Sequence, residues 1–290
     1  MFKPFENQQL HRLGPHVARP MGALFSVVLL VLALSLSGCK TLGNRVEQTQ
    51  LPEGAPAVED VLRDLAQNDA LLQTLEARGR FIVISPNLGE GKMACNARIQ
   101  YRRPTDLNII GTHQLGFLVF RMISVGEEFY LEFPTEDKCF YLVKGLRIES
   151  VQFSVSPSDV AKEMFLAESW ADLNPREFHL ESYDPATGIA RATVGSRKNP
   201  RRRLELQGPP WRVLRSERLD RSGEVVSETT LSDYYEKDGI RFPTVVDCHF
   251  ISEDSTMKFM VKDPTMNPDL APEIFTIDPK VAIECSSTLN

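Results

Sequence analysis

The side chains able to do chemistry are few and scattered. The five cysteines stand at 39, 95, 139, 248 and 285, and no two have the Cys-x-x-Cys spacing that a zinc knuckle or a thioredoxin-like redox site needs. His113, His179 and His249 have no metal-ligand spacing with one another. Gly-x-Ser-x-Gly, His-Glu-x-x-His and phosphate-loop patterns are absent. Gly89-Glu90-Gly91-Lys92 is superficially phosphate-like, but it lacks the leading glycine spacing and the following Ser/Thr, and it falls between two strand patterns. It reads as a turn. No catalytic residue, metal site or cofactor is therefore expected, and the chain reads as a non-enzyme.

Chemistry of another kind centres on Cys39. Ala23 to Leu36 is an uncharged apolar run of 14 residues, preceded by Lys3, Arg12 and Arg19 with only Glu6 opposing them. A spanning helix needs about 20 apolar residues, so this pattern is a secretory signal. Its end, Leu36-Ser37-Gly38-Cys39, resembles the lipobox of bacterial lipoproteins, Leu-(Ala/Ser)-(Gly/Ala)-Cys. That resemblance implies cleavage before Cys39, a diacylglycerol on its thiol and an acyl chain on its amine. Two or more chains suffice for stable membrane anchoring. The alternative is an ordinary signal cut near Gly38 that leaves Cys39 a plain thiol. Lys40 occupies the place where an Asp would mark inner-membrane retention in many Gram-negative bacteria. The resemblance thus implies export and anchoring at the outer membrane, facing the periplasm.

Residues 1–38 hold three of the 33 Lys/Arg and one of the 39 Asp/Glu, so the remaining 252 residues carry a net charge of −8. That balance argues against a general nucleic-acid binder. With Cys39 acylated, Cys95, Cys139, Cys248 and Cys285 are disulfide candidates in an oxidising compartment, and three pairings are open. Buried thiols are the other state available to them.

The elements that must position any site follow in order. Residues 39–57 are polar and punctuated by Gly43, Pro52, Gly54 and Pro56, a flexible tether. Val58, Val61, Leu62 and Leu65, then less regularly Leu71, Leu72 and Leu75, recur at helical spacing. Strand patterns follow over Gly79–Ile84, Met93–Tyr101, Leu107–Ile110, Leu115–Ile123, Phe129–Phe133 and Cys139–Val143. Ser156-Pro157-Ser158-Asp159 predicts a helix start, with Val160, Met164, Phe165 and Leu166 as its apolar face. A second run of strands covers Ile189–Val194, Arg203–Leu206, Trp211–Leu219, Val225–Tyr235, Ile240–Phe250 and Met257–Val261. The inventory is a helix, about five strands, a helix, and about five strands. No βαβ repeat appears, so the expected fold is α+β and mainly antiparallel: a strongly curved sheet, or half-barrel, with helices covering its concave face. The domain spans 58–279, with a tail over 280–290.

This order, together with the lipobox, resembles the LolA/LolB superfamily of lipoprotein carriers. Tyr234-Tyr235-Glu236-Lys237-Asp238-Gly239-Ile240-Arg241-Phe242-Pro243 resembles that superfamily's Tyr…Asp-Gly-x-x-(apolar)-Pro strand pair, and Asn267 to Phe275 resembles its closing Asn…Leu…Phe segment. The resemblance implies an unclosed barrel whose lining binds acyl chains of a lipid or lipoprotein. The cavity candidates are Met93, Phe117, Phe129, Leu131, Phe133, Met164, Phe242, Phe250 and Phe259, large and soft side chains suited to such a ligand. Each is equally an ordinary core residue. Arg121 interrupts an apolar strand and is a candidate for a polar group at the cavity or rim, or for a plain ion pair. Arg197, Lys198, Arg201, Arg202 and Arg203 could touch anionic headgroups or form a solvated hairpin end. The other reading is a structural or protein-interaction lipoprotein whose cavity is filled by its own side chains.

Overall fold

A computed structural model describes residues 53–86, 91–143, 170–281 and 285. All of them fall within one compact unit, Thr49–Asn290. The signal, the lipobox, Cys39 and the predicted helix with Met164 lie outside the described residues.

Helix α1 covers Val58–Leu71. Glu59 and Asp60 sit in its first turn, where carboxylates favour the helix dipole. Its Val61, Leu62 and Leu65 are buried. The helix stops at Leu71 because Asn267 takes over its end. The Asn267 Oδ1 accepts the Gln73 and Thr74 N–H groups at 2.8 and 3.2 Å, and its Nδ2 donates to the Leu71 carbonyl at 2.8 Å. Leu72 is extended, and Leu75 already belongs to a strand.

Thirteen strands follow: β1 (Thr74–Ile84), β2 (Lys92–Arg102), β3 (Asp106–Thr112), β4 (Leu118–Val125), β5 (Glu128–Phe133), β6 (Lys138–Val143), β7 (Phe178–Asp184), β8 (Ile189–Gly195), β9 (Pro200–Gln207), β10 (Arg212–Leu219), β11 (Val225–Lys237), β12 (Ile240–Phe250) and β13 (Ser255–Met266). They form one open antiparallel sheet in the order β6-β5-β4-β3-β2-β1-β13-β12-β11-β10-β9-β8-β7. Two meanders are thus joined along β1 and β13. The thirteen strands among the described residues are one more than the twelve strand patterns of the sequence, the addition being β7. Only Phe178 is buried in its length, so it lacks the apolar alternation that reveals a half-buried strand.

Register sorts the side chains into two faces. On one, Ala77, Ile99, Ile109, Met122 and Leu131 stand in a cross-strand row, and Phe81, Phe259, Val246 and Leu231 in another. These residues and α1 build the main core. Gly79 sits within it where β1 and β13 approach closely; a Cβ there would lie 2.1 Å from the Met260 carbonyl oxygen. Gly111 leaves room for the Phe120 ring, which an added Cβ would meet at 2.3 Å.

The opposite face carries a polar ladder over β1, β2 and β3. Arg98 Nη2 donates to both Glu76 oxygens at 2.9 Å, Gln100 donates to Glu76 at 3.1 Å, and Asn108 donates to Gln100 at 2.9 Å. Beside it the chain after β13 returns across β3 and β4. Phe275 is buried under the Arg102 guanidinium, 4.6 Å from its ring centroid. Ile277 and Val281 pack on the buried cluster of Ile123, Tyr130 and Cys285, and a disulfide joins Cys285 to Cys139 on β6. Cys95 and Cys248 are buried thiols outside the disulfide, and Cys248 Sγ accepts from the Thr229 hydroxyl at 3.4 Å. Burial pushes the Cys95 thiol up to about 11, which keeps it protonated and inert.

Candidate apolar face and polar cavity

The residues expected to line a cavity fall into three groups. Phe129, Phe242, Phe250 and Phe259 are buried in the main core, and Met93, Leu131 and Phe133 are half-buried against it. Phe81 and Phe120 pack at 5.4 Å between ring centroids, and Phe120 and Phe133 at 6.4 Å. The packed contacts of α1 run to β12 and β7, across the sheet from these β2–β5 side chains. Phe117 does not join them. It lies in the turn between β3 and β4, 47% exposed and stacked on His113 at 4.4 Å, beside Leu115 at 83% exposure.

Arg121 faces away from the main core. It pairs across the ladder with Ile110 and Glu132, and alternation puts its neighbours Phe120 and Met122 on the core side. Its Nε is buried without a hydrogen-bond partner among the described residues. The nearby Tyr130 hydroxyl donates to Glu132, and burial together with that carboxylate pushes the Tyr130 pKa upward. The basic run is likewise divided by strand alternation. Arg197, Lys198, Arg201 and Arg203 are exposed, with Arg201 near Glu177 at 3.7 Å and Arg203 near Glu217 at 3.3 Å. Arg202 turns inward, 5% exposed, and donates to the Ser216 hydroxyl at 2.6 Å. The five charges do not form one surface.

A cavity of about 80 Å³ lies between α1 and β10–β12, and of the cavity candidates among the described residues Phe242 lines it. Leu65, Leu72, Trp170, Trp211, Val213 and Phe242 give it apolar walls, and Asn68, Asp69, Arg212, Tyr234 and Arg241 give it polar ones. Its groups are closely tied. Arg241 Nη2 lies 3.2 Å from Asp64 Oδ1, and the other Asp64 oxygen accepts the Trp211 N–H. Arg103 Nη2 donates to Asp69 at 2.8 Å, yet burial outweighs that pairing and raises the Asp69 pKa. Tyr234, which follows a left-handed Asp233 (φ 52°), donates its hydroxyl to the Val213 carbonyl and lies under the Arg212 guanidinium. Burial raises the Tyr234 pKa and keeps the hydroxyl protonated. Among the described residues, no group of three His, Cys, Asp or Glu side chains could hold a metal ion, and no helix is long and apolar enough to cross a membrane.

No protein-family model matches the chain, and no curated protein matches it. Solved structures do. A DUF1329 family protein from Desulfovibrio piger shares this fold. The match has a TM-score of 0.51 at 13% identity and covers 77% of this chain and 98% of the other. The chain is also similar to a LolA superfamily protein from Nitrosomonas europaea, with a TM-score of 0.49, 14% identity, and coverage of 77% of this chain and 99% of that one. A domain named for outer membrane lipoprotein sorting, from Vibrio parahaemolyticus, matches with a TM-score of 0.48 and 13% identity over 76% of this chain and 97% of its own. At such identities the likeness is one of fold.

Proposed function

We propose that this protein is an exported lipoprotein, anchored at the outer membrane through acylated Cys39, that binds the acyl chains of a lipid or lipoprotein against the core face of its open sheet. The observation that carries the reading is that Met93, Leu131 and Phe133 are only half-buried on the core side of β2 and β5, with Phe133 against Phe120 and Phe120 against Phe81, away from the main contacts of α1. Met93 among them is unbranched and polarizable and adapts to a flexible chain at little cost. The lipobox supports the anchor, and the open order of the sheet supports a core face with room for a ligand. No covalent step is involved; cargo moves by differences in affinity between the protein and the bilayer. Leu115 and Phe117, exposed at the tip of a hairpin, supply an apolar contact for the membrane surface.

The experiment is purification of the chain from membranes, followed by mass spectrometry of co-purified lipid and uptake of a fluorescent fatty acid. Bound lipid with saturable uptake is expected, and absence of both refutes the reading. Cys39→Ala is expected to move the protein to the soluble fraction, and Leu115→Glu to weaken binding of the non-lipidated protein to vesicles. A second reading, a lipoprotein that docks a protein partner, is favoured by the cavity of about 80 Å³, because pockets for small ligands usually span roughly 300–1,000 Å³. Crosslinking that recovers one stable protein partner, with no lipid, decides for it.

A further inference from the structure

The cavity between α1 and β10–β12 has a charge balance that its size alone does not explain. Asp69 is matched by Arg103, and Asp64 by Arg241. Arg212 has no such match among the described residues: its Nε and Nη2 both donate to the neutral Gln207 Oε1, at 3.2 and 2.6 Å. The walls therefore carry one positive charge in excess. The Arg241 side chain is only 10% exposed, and its buried Nε–H has no acceptor among the described residues. A buried donor left unmade costs free energy, so a ligand acceptor there is favoured. The nearby Tyr234 hydroxyl, held protonated and already donating to Val213, cannot supply the missing negative charge.

Three features thus meet in one place: a surplus cation, a buried unpaired N–H, and apolar walls from Trp170, Trp211, Leu65 and Leu72. We propose that this cavity is a subsite for a single oxyanion, the carboxylate or phosphate group of an amphiphile, with Arg212 supplying the charge and Arg241 the hydrogen bond. The assignment deepens the acyl-binding reading and rests on it for the ligand's tail. About 80 Å³ holds several waters' worth of atoms, enough for a headgroup but not for a whole chain. The same oxyanion chemistry would come from a lipid headgroup or from free phosphate, and the test separates them.

Both tryptophans of the chain line the cavity, so intrinsic fluorescence reports on its occupancy. The full chain would be titrated below micellar concentration with dodecyl phosphate, with dodecyl maltoside as the uncharged chain-matched probe, and with inorganic phosphate. Arg212 is the residue to change, because Arg241 also holds α1. Arg212→Gln is expected to weaken dodecyl phosphate binding roughly tenfold or more, as befits loss of a charge-assisted contact. Arg212→Lys should keep part of that affinity, and dodecyl maltoside should be indifferent to both changes. Inorganic phosphate that competes with dodecyl phosphate also supports the subsite. If phosphate binds through Arg212 but no amphiphile does, the subsite stands with a free anion as its ligand and the acyl-binding reading falls. Equal binding of both amphiphiles, unchanged in Arg212→Gln, overturns the subsite and leaves the acyl reading intact. No fluorescence response to any probe overturns the subsite.

Discussion

Asn68 holds the backbone of Arg241 with both ends of its side-chain amide. Its Oδ1 accepts the Arg241 N–H at 2.8 Å, and its Nδ2 donates to the Arg241 carbonyl at 3.3 Å. The pairing of β12 with β13 runs only from Val245 to Phe250, so Arg241 lies beyond the reach of that neighbour. A helix side chain there does the work of an absent strand. Asn68→Ala removes both bonds and is expected to cost about 1–3 kcal/mol, since buried backbone groups lose their partners. Urea denaturation measures it, and a change below about 0.5 kcal/mol would show that water replaces the amide freely.

Gly79 is the next test, because its constraint is steric and not conformational. A Cβ there meets the Met260 carbonyl oxygen at 2.1 Å and its carbon at 2.9 Å, both backbone atoms that cannot rotate away. Gly79→Ala must push β1 from β13 and is expected to cost about 2–3 kcal/mol or more. Thermal unfolding of the variant, compared with Gly54→Ala, where the left-handed φ of +88° opposes the side chain but no atom lies within 4 Å, separates the steric cost from the conformational one.

The Cys139–Cys285 disulfide spans a sequence separation of 146. Loop-closure entropy sets its contribution at roughly 5 kcal/mol as an upper bound. Cys285→Ala should therefore lower the unfolding free energy by a few kcal/mol, uncover Ile123 and Tyr130 to a hydrophobic dye, and speed proteolysis after Met266. An unchanged digestion pattern would mean that Phe275 and Asn267 retain the segment unaided.

Glu76 gives the fold an acid dependence. The Arg98 hydrogen bonds are the largest influence on it and hold its pKa below the ordinary 4.5. A depressed folded pKa contributes stability that is complete above pH 4.5 and is lost as pH falls through the lower folded value. Asp69 works in the opposite sense. Burial raises its pKa above 3.8, so the folded state gains below pH 3.8 and loses as pH climbs through the raised value. Carboxyl titration by NMR should find Glu76 below and Asp69 above their ordinary values, and Glu76→Gln should flatten the acid limb of the stability curve.

Much of the sheet is written in local alternation. Met93, Cys95, Ala97, Ile99 and Tyr101 announce β2 because one side of that strand is buried and the other solvated. Leu115 to Phe117 misled for the opposite reason: apolar residues in a turn mimic a strand, although β4 begins only at Leu118. Leu75 continued the apolar spacing of α1 but belongs to β1, because the helix end is set by Asn267, almost two hundred residues away. The polar side of the cavity was hidden in the same way, whereas Phe242 was legible as a lining residue. Arg212 and Arg241 stand in ordinary strand patterns, and only the packing of α1 brings Asp64, Asn68 and Asp69 against them. Arg121 drew attention as a charge in an apolar stretch, whereas its strand is apolar on both faces because the returning chain end covers the second one.

The seam between β1 and β13 also governs when this molecule can exist. Paired residues there are 172 to 191 positions apart, from Ile84 with Thr256 to Leu75 with Met266. A chain that emerges N-terminus first presents β1 to β2 long before β13 arrives to pair with it. Throughout that interval the central strand has an open edge, and α1 lacks the β12 surface on which it lies. The two meanders are therefore halves that mature together, and the last strand to arrive turns a collection of hairpins into a protein.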